Sequence, residues 1–299
     1  MRKLFYLILG MLIASCVGGT TSYSSDSTPV DSDSVPTIVN IVDTAAVDAA
    51  QAIADKAKDA GVPVIFFNRE VEDSVINSYE DACFVGTRAA EAGEMQGQMA
   101  GQYLVANYDA VDLNKDGKIQ YIMMKGELGN PEAEARTQFG VEFTNKELTA
   151  AGKPELEYYD PNNSDKFQPS NWSKTTAFDL MNTALGTNPM DGSNPIEVVY
   201  ANNDDAALGC IEALNAVGYN TGDGPSIPVF GVDYTADAQA AIEAGKMTGS
   251  ILQSATGMAE TIAALASNIA NGESVFANTD SYNVDDAAAK IRVPYEIKA

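Results

Sequence analysis

DLNKDGKIQYIMMKGELGNPEAEAR, residues 112–136, joins a polar loop, an apolar strand and the entry to a helix in one stretch. Asp112, Asn114 and Asp116 stand at alternate positions, Gly117 is sixth, Lys118 seventh and Gln120 ninth. By such offsets a calcium loop wraps hard oxygen donors around an ion, with glycine at the sharp bend and only a main-chain carbonyl from the seventh residue. The twelfth position, where a bidentate carboxylate belongs, is Met123 inside QYIMMKG, so a distant carboxylate would have to close the shell. The same residues also read as a solvated turn before a strand.

Outward from that loop the chain alternates short apolar runs with helical spacing. TIVNIV (37–42) precedes the alanine-rich TAAVDAAQAIADKAKDAG, which Gly61 stops, and VPVIFF (62–67) follows. Strand, helix and strand make a βαβ unit. IEVVYA (196–201), SIPVFGVD (226–233) and GSILQS (249–254) repeat the strand pattern. Parallel sheets collect ligands at the carboxyl ends of their strands, so Asn68, directly after Phe67, is either a ligand contact or a turn former. Pro131 suits a first helical turn, and Glu132 and Arg136, four apart, share a helix face. Trp172, the sole tryptophan, is either a stacking face for a pyranose or part of a core.

The front of the chain has a different character. Arg2 and Lys3 precede LFYLILGML, and Ile13, Ala14 and Ser15 lead to Cys16. A positive start, a short apolar core and small residues before a cysteine describe a lipoprotein signal peptide over residues 1–15, with lipid on Cys16. Residues 16–36, rich in serine, threonine and aspartate, read as a flexible tether. No later stretch is apolar for long enough to span a bilayer. With 42 acids against 18 lysines and arginines, the formal charge of −24 repels nucleic acid and anionic headgroups. The absence of histidine removes the usual catalytic base and the commonest transition-metal ligand. Cys83 and Cys210, the only other cysteines, sit among apolar neighbours and read as buried free thiols.

The calcium-like loop, its strand and KGELGNPEAEARTQ, together with VPVIFFNRE, FVGTRAAEAGEMQGQ, IEVVYANNDDAALGCIEALN, SIPVFGVD and IRVPYE, resemble the periplasmic galactose/glucose-binding proteins, from about Ile38 over most of the chain. The resemblance implies an α/β, type I periplasmic-binding-protein-like fold: two doubly wound parallel-sheet lobes joined by a hinge. Residues 37–87 with 254–292 would form the N-terminal lobe, and residues 88–253 with 293–299 the C-terminal lobe, which carries the calcium loop. Family members have two further βα units ahead of the strand matched by TIVNIV, so the N-terminal lobe is expected to be incomplete.

Carried over residue by residue, the family's sugar contacts fall on Asn68, Asn130, Glu132, Arg136, Trp172, Asn203, Asp233 and Gln253. Asn130 stands where the family has histidine, Glu132 where it has aspartate, and Gln253 where it often has asparagine. The structural calcium ion (Ca2+) would be held by Asp112, Asn114, Asp116, Lys118 and Gln120, with Glu197 as the remote carboxylate. An acid at the head of an apolar strand is costly to bury without such a partner.

The expected function is that of a lipid-anchored, periplasmic or cell-surface protein. It would capture a monosaccharide resembling glucose or galactose and deliver it to an ABC importer without performing chemistry. The permease and the sugar are the expected partners, the membrane is touched only through the lipid, and a chemoreceptor is a compatible further partner. The competing expectation is a non-transport surface lipoprotein, or a remnant with a vestigial sugar cleft.

Overall fold

The computed structural model describes residues 35–41, 47–279 and 281–299. The signal peptide, Cys16 and the tether as far as residue 34 lie outside the described residues.

In chain order the elements are β1 (Thr37–Val39), α1 (Val47–Ala60), β2 (Val64–Asn68), α2 (Asp73–Ile76), β3 (Ala82–Gly86) and α3 (Ala89–Val111). There follow β4 (Gln120–Lys125), α4 (Pro131–Ala150), β5 (Glu157–Tyr158), β6 (Gln168–Pro169), α5 (Lys174–Thr187), β7 (Val198–Ala201) and α6 (Asp204–Ala216). The described chain closes with β8 (Val229–Asp233), α7 (Ala236–Glu243), β9 (Gly249–Gln253), α8 (Ala255–Ala270), β10 (Asn283–Val284), β11 (Lys290–Arg292) and β12 (Tyr295–Lys298).

These strands make two sheets, one ordered β1-β2-β3-β11-β10 and the other β12-β9-β8-β7-β4-β5, with β6 also on β4. The two-lobed α/β architecture expected from the sequence is present, with one correction. Each sheet is parallel except at one edge, where β10 runs antiparallel to β11 and β12 antiparallel to β9. The expected lobe boundary after residue 292 falls inside IRVPYE, and the structure makes that stretch two strands. Pro294, which has no amide hydrogen to give a ladder, separates β11 in the first sheet from β12 in the second.

The central strands are apolar through their middles because helices cover both faces. Ile122, Met123, Met124 and all of β7 are fully buried. Burying each large side chain such as Tyr200 or Phe230 contributes about 1.5–3 kcal/mol. Helices α3 and α4 lie close together because Gly93, Gly97 and Gly101 recur every fourth residue on α3. A Cβ at position 97 would sit 2.6 Å from the carbonyl oxygen of Gly140 on α4.

Among the described residues the chain crosses between the sheets three times: from β3 to α3 through Thr87 and Arg88, from β9 to α8 through Ser254, and from β11 to β12 through Val293 and Pro294. Met99 and Leu104 of α3 join the core of the second sheet, whereas Met258 and Leu265 of α8 join that of the first. Cys83 and Cys210 are free and buried. Cys83 lies within β3 and Cys210 in the middle of α6. Burial pushes both thiols up, Cys83 to about 12, which leaves them unreactive.

Candidate ligand site

The carboxyl ends of strands from both sheets converge on one cavity of about 200 Å³, smaller than the roughly 300–1,000 Å³ of drug-sized pockets. Its lining consists of Asn68, Arg69, Asn130, Glu132, Arg136, Trp172, Asn203, Asp233 and Gln253. The eight residues singled out from the sequence as ligand contacts are thus brought together, and Arg69 is added to them. Arg69 escaped the sequence reading because a cation after a strand is ordinarily a solvated turn residue. Its direct adjacency to Asn68 was the available signal.

Local backbone geometry explains how these side chains reach the cavity. Asn68, Trp172 and Asp233 have φ of 67°, 64° and 114°, in the left-handed region that non-glycine residues seldom enter. Such strain persists only where surrounding packing holds it, and it gathers at functional sites. Trp172 lies flat against Gly126, where any Cβ would collide with its ring. Its carbonyl accepts the amide of Asn203 at 3.1 Å, which ties β7's end to the loop before α5. Asn130 caps α4: its side-chain oxygen accepts the main-chain N–H groups of Glu132 at 3.0 Å and Ala133 at 3.1 Å. An asparagine where the resembled family has histidine therefore has a structural duty.

Glu132 and Arg136 are buried, at 7% and 3% exposure, so the pair is no surface ornament of α4. Glu132 Oε1 accepts the main-chain N–H of Glu70 at 3.1 Å, from the loop after β2 in the other lobe. Arg136 donates through Nη1 to the carbonyl of Asn202 at 2.8 Å and through Nη2 to the hydroxyl of Tyr295 at 3.1 Å. Asp233 Oδ1 lies 3.9 Å from Arg136 Nη1. Burial raises Asp233 to about 7 although Arg136 opposes the shift. Burial likewise works against the Arg136 charge, and the neighbouring Tyr295, Asp233 and Glu132 outweigh it.

Among the described residues three buried polar atoms here lack a partner: Glu132 Oε2, Arg136 Nε and Trp172 Nε1. Buried polar groups are costly unless bonded, so one acceptor and two donors remain to be satisfied by something else. Planar groups of this kind suit adjacent hydroxyls on a small ring.

The other predicted site lies at the far end of β4. Asp112 caps the end of α3, and Gly117 takes φ 82° at the sixth loop position. Asp112 Oδ2 accepts the amide of Gly117 at 3.0 Å, Asn114 Oδ1 that of Asp116 at 3.1 Å, and Asp116 Oδ1 that of Lys118 at 2.8 Å. Glu197, 1% exposed and just before β7, accepts from the main-chain N–H groups of Leu113 and Gln120. Burial raises it to about 7 against the pull of those bonds. The structure therefore brings the predicted remote carboxylate onto the loop.

Among the described residues no group of three or more His, Cys, Asp or Glu side chains forms a metal cluster. The loop's donors are instead a mixture of carboxylate, amide and carbonyl oxygens. Asp112 Oδ1 and Gln120 Oε1 are buried with no partner. Two orphaned oxygens beside the buried Glu197 carboxylate fit a hard cation.

Comparison with known proteins converges on the same picture. A periplasmic binding protein domain family matches residues 38–274. The D-galactose/methyl-galactoside binding periplasmic protein MglB of Haemophilus influenzae is 35% identical over 257 residues, covering 86% of this chain and 70% of the relative. The ribose import binding protein RbsB of Salmonella typhimurium is 26% identical over 248 residues, covering 83% and 69%. Among solved structures, an ABC transporter solute binding protein of Bacillus halodurans with bound myo-inositol superposes with TM-score 0.63 at 26% identity, covering 88% of this chain and 73% of that one. A periplasmic solute binding protein of Actinobacillus succinogenes with bound D-allose gives TM-score 0.63 at 19% identity, covering 87% and 76%, a likeness of fold.

Proposed function

This chain belongs to the periplasmic binding protein domain family, and from that premise we propose that it captures a monosaccharide of the glucose or galactose type and delivers it to an ABC importer. The observation that carries the reading is the set of unpartnered buried atoms, Glu132 Oε2, Arg136 Nε and Trp172 Nε1, around a cavity of about 200 Å³. Asn68, Asn203, Asp233 and Gln253 add hydroxyl-seeking groups from four strand ends, and Trp172 offers a ring face. Capture and release would need no bond-making, so the protein acts as a carrier and not as an enzyme. The periplasm is the family's compartment, and a lipid on Cys16 would hold the protein at a membrane surface. A structural calcium ion would be held by Asp112, Asn114, Asp116, the Lys118 carbonyl, Gln120 and Glu197, neutralising the buried acid on the loop.

Titration calorimetry and thermal unfolding with D-glucose, D-galactose, D-ribose, D-allose and myo-inositol test the carrier reading. A cognate sugar at a hundred times its Kd adds about 2.7 kcal/mol of stability and raises the melting temperature. A flat response to the whole panel would replace a carrier with a surface lipoprotein whose cleft is vestigial.

A further inference from the structure

Tyr295 lines no part of the cavity, yet its hydroxyl is where the cavity and all three crossings between the sheets meet. The residue opens β12, immediately after the third crossing, and is 3% exposed. Its oxygen accepts the hydroxyl of Thr87 at 2.7 Å, the guanidinium Nη2 of Arg136 at 3.1 Å and, at 3.4 Å, the amide of Gln253. Thr87 belongs to the first crossing, and Gln253 ends β9 just before the second. Gln253 also donates to Thr87 Oγ1 at 3.0 Å, so the three side chains close a ring of hydrogen bonds. The antiparallel pairing of Tyr295 with Gln253 sets that geometry.

From this we infer that Tyr295 is a positioning residue that sets the orientation of Arg136 and the geometry of the three crossings together. The inference rests on reading the cavity as a ligand site only for its consequence, which is that Arg136 lines that cavity. With Nη1 held by the Asn202 carbonyl and Nη2 by the Tyr295 hydroxyl, the guanidinium plane is fixed at two corners. A displacement of any crossing therefore reaches Arg136 through one oxygen atom. Buried networks of this kind couple their members more strongly than isolated pairs.

Tyr295→Phe keeps the ring and removes the oxygen, leaving the Thr87 hydroxyl and the Arg136 Nη2 without an acceptor. Hydrogen–deuterium exchange on the ligand-free full chain should show residues 86–89, 253–256 and 292–295 exchanging together, roughly five- to tenfold faster than in the parent, with β4, β7 and β8 unchanged. The guanidinium nitrogen resonances of Arg136 should shift and broaden in the same sample. Thr87→Val, which keeps the phenol, should reproduce the pattern, and the double variant should add less than the product of the two. Acceleration confined to residues 292–298, an unmoved Arg136 signal, or independent effects of the two variants would reduce Tyr295 to local packing and overturn the inference. No sugar enters the measurement, so its failure leaves the carrier reading standing, and a protein that binds no hexose leaves this test intact.

Discussion

Glu132 has two oxygens with different tasks: Oε1 holds the Glu70 amide across the cleft, and Oε2 is buried beside the cavity without a partner. An aspartate, one methylene shorter, would bring the carboxylate back by over an ångström and could serve only one of them. Glu132→Gln keeps the length but offers a single acceptor, so either the cross-cleft bond or the ligand bond is lost. The expected result is a rise of about tenfold in Kd for the cognate sugar by calorimetry, with little change in ligand-free stability. Equal affinity in parent and variant would remove Oε2 from the ligand. At this scale the cavity was legible chiefly through the family resemblance: strand ends in an open parallel sheet converge by topology, but by its place alone Asn68 read equally as a turn former, and Asn203, Asp233 and Gln253 were carried over from the family's contacts. Arg69 and Tyr295 were not legible. Their roles come from left-handed backbone at Asn68 and from an antiparallel edge pairing, and neither leaves a pattern in composition or spacing.

At the level of elements, strand runs such as YIMM and VVYA announced themselves because burial on both faces demands unbroken apolar sequence. Which sheet a run joins is a different matter: the change of sheet inside IRVPYE was expected from the family's lobe boundary and not from the run itself. The 112–120 loop is an element whose conformation is already shaped by its own amides, with Asp112, Asn114 and Asp116 each accepting from the chain. An ion would therefore complete a formed turn by engaging Asp112 Oδ1, Gln120 Oε1 and Glu197. Chelator-treated protein should take up about one calcium by calorimetry, and Glu197→Ala should weaken that uptake by tenfold or more. Unchanged calcium affinity in the variant would take Glu197 out of the shell. If neither protein takes up calcium, the loop is a capped turn and Glu197 an acceptor for its amides.

Across the whole molecule, acids dominate, and two of them titrate abnormally: Asp204, which is buried, and Asp233, a third exposed, which lines the cavity. Asp204 accepts the Ser250 hydroxyl at 2.7 Å and the Thr235 amide at 2.7 Å, and burial raises it to about 6 despite those bonds. Asp233 is raised to about 7, chiefly by burial, with Asp204 and Asp205 adding to the shift and Arg136 opposing it. Both folded-state values lie above those of an unfolded chain, near 4, so between about pH 4 and 7 the folded protein holds protons that the unfolded chain has released. Stability from these groups is therefore fully present below pH 4, falls as pH rises through 6 and 7, and levels off above. Repulsion within a surface of formal charge −24 acts in the same direction, so the absolute pH profile would not isolate these two acids. The difference between parent and Asp233→Asn does, because the variant loses the titration and keeps the surface. In urea denaturation the variant should gain on the parent steadily from pH 4.5 to 7.5. Parallel profiles across that range would mean that Asp233 stays ionised in the fold, with Arg136 stronger than the burial that opposes it.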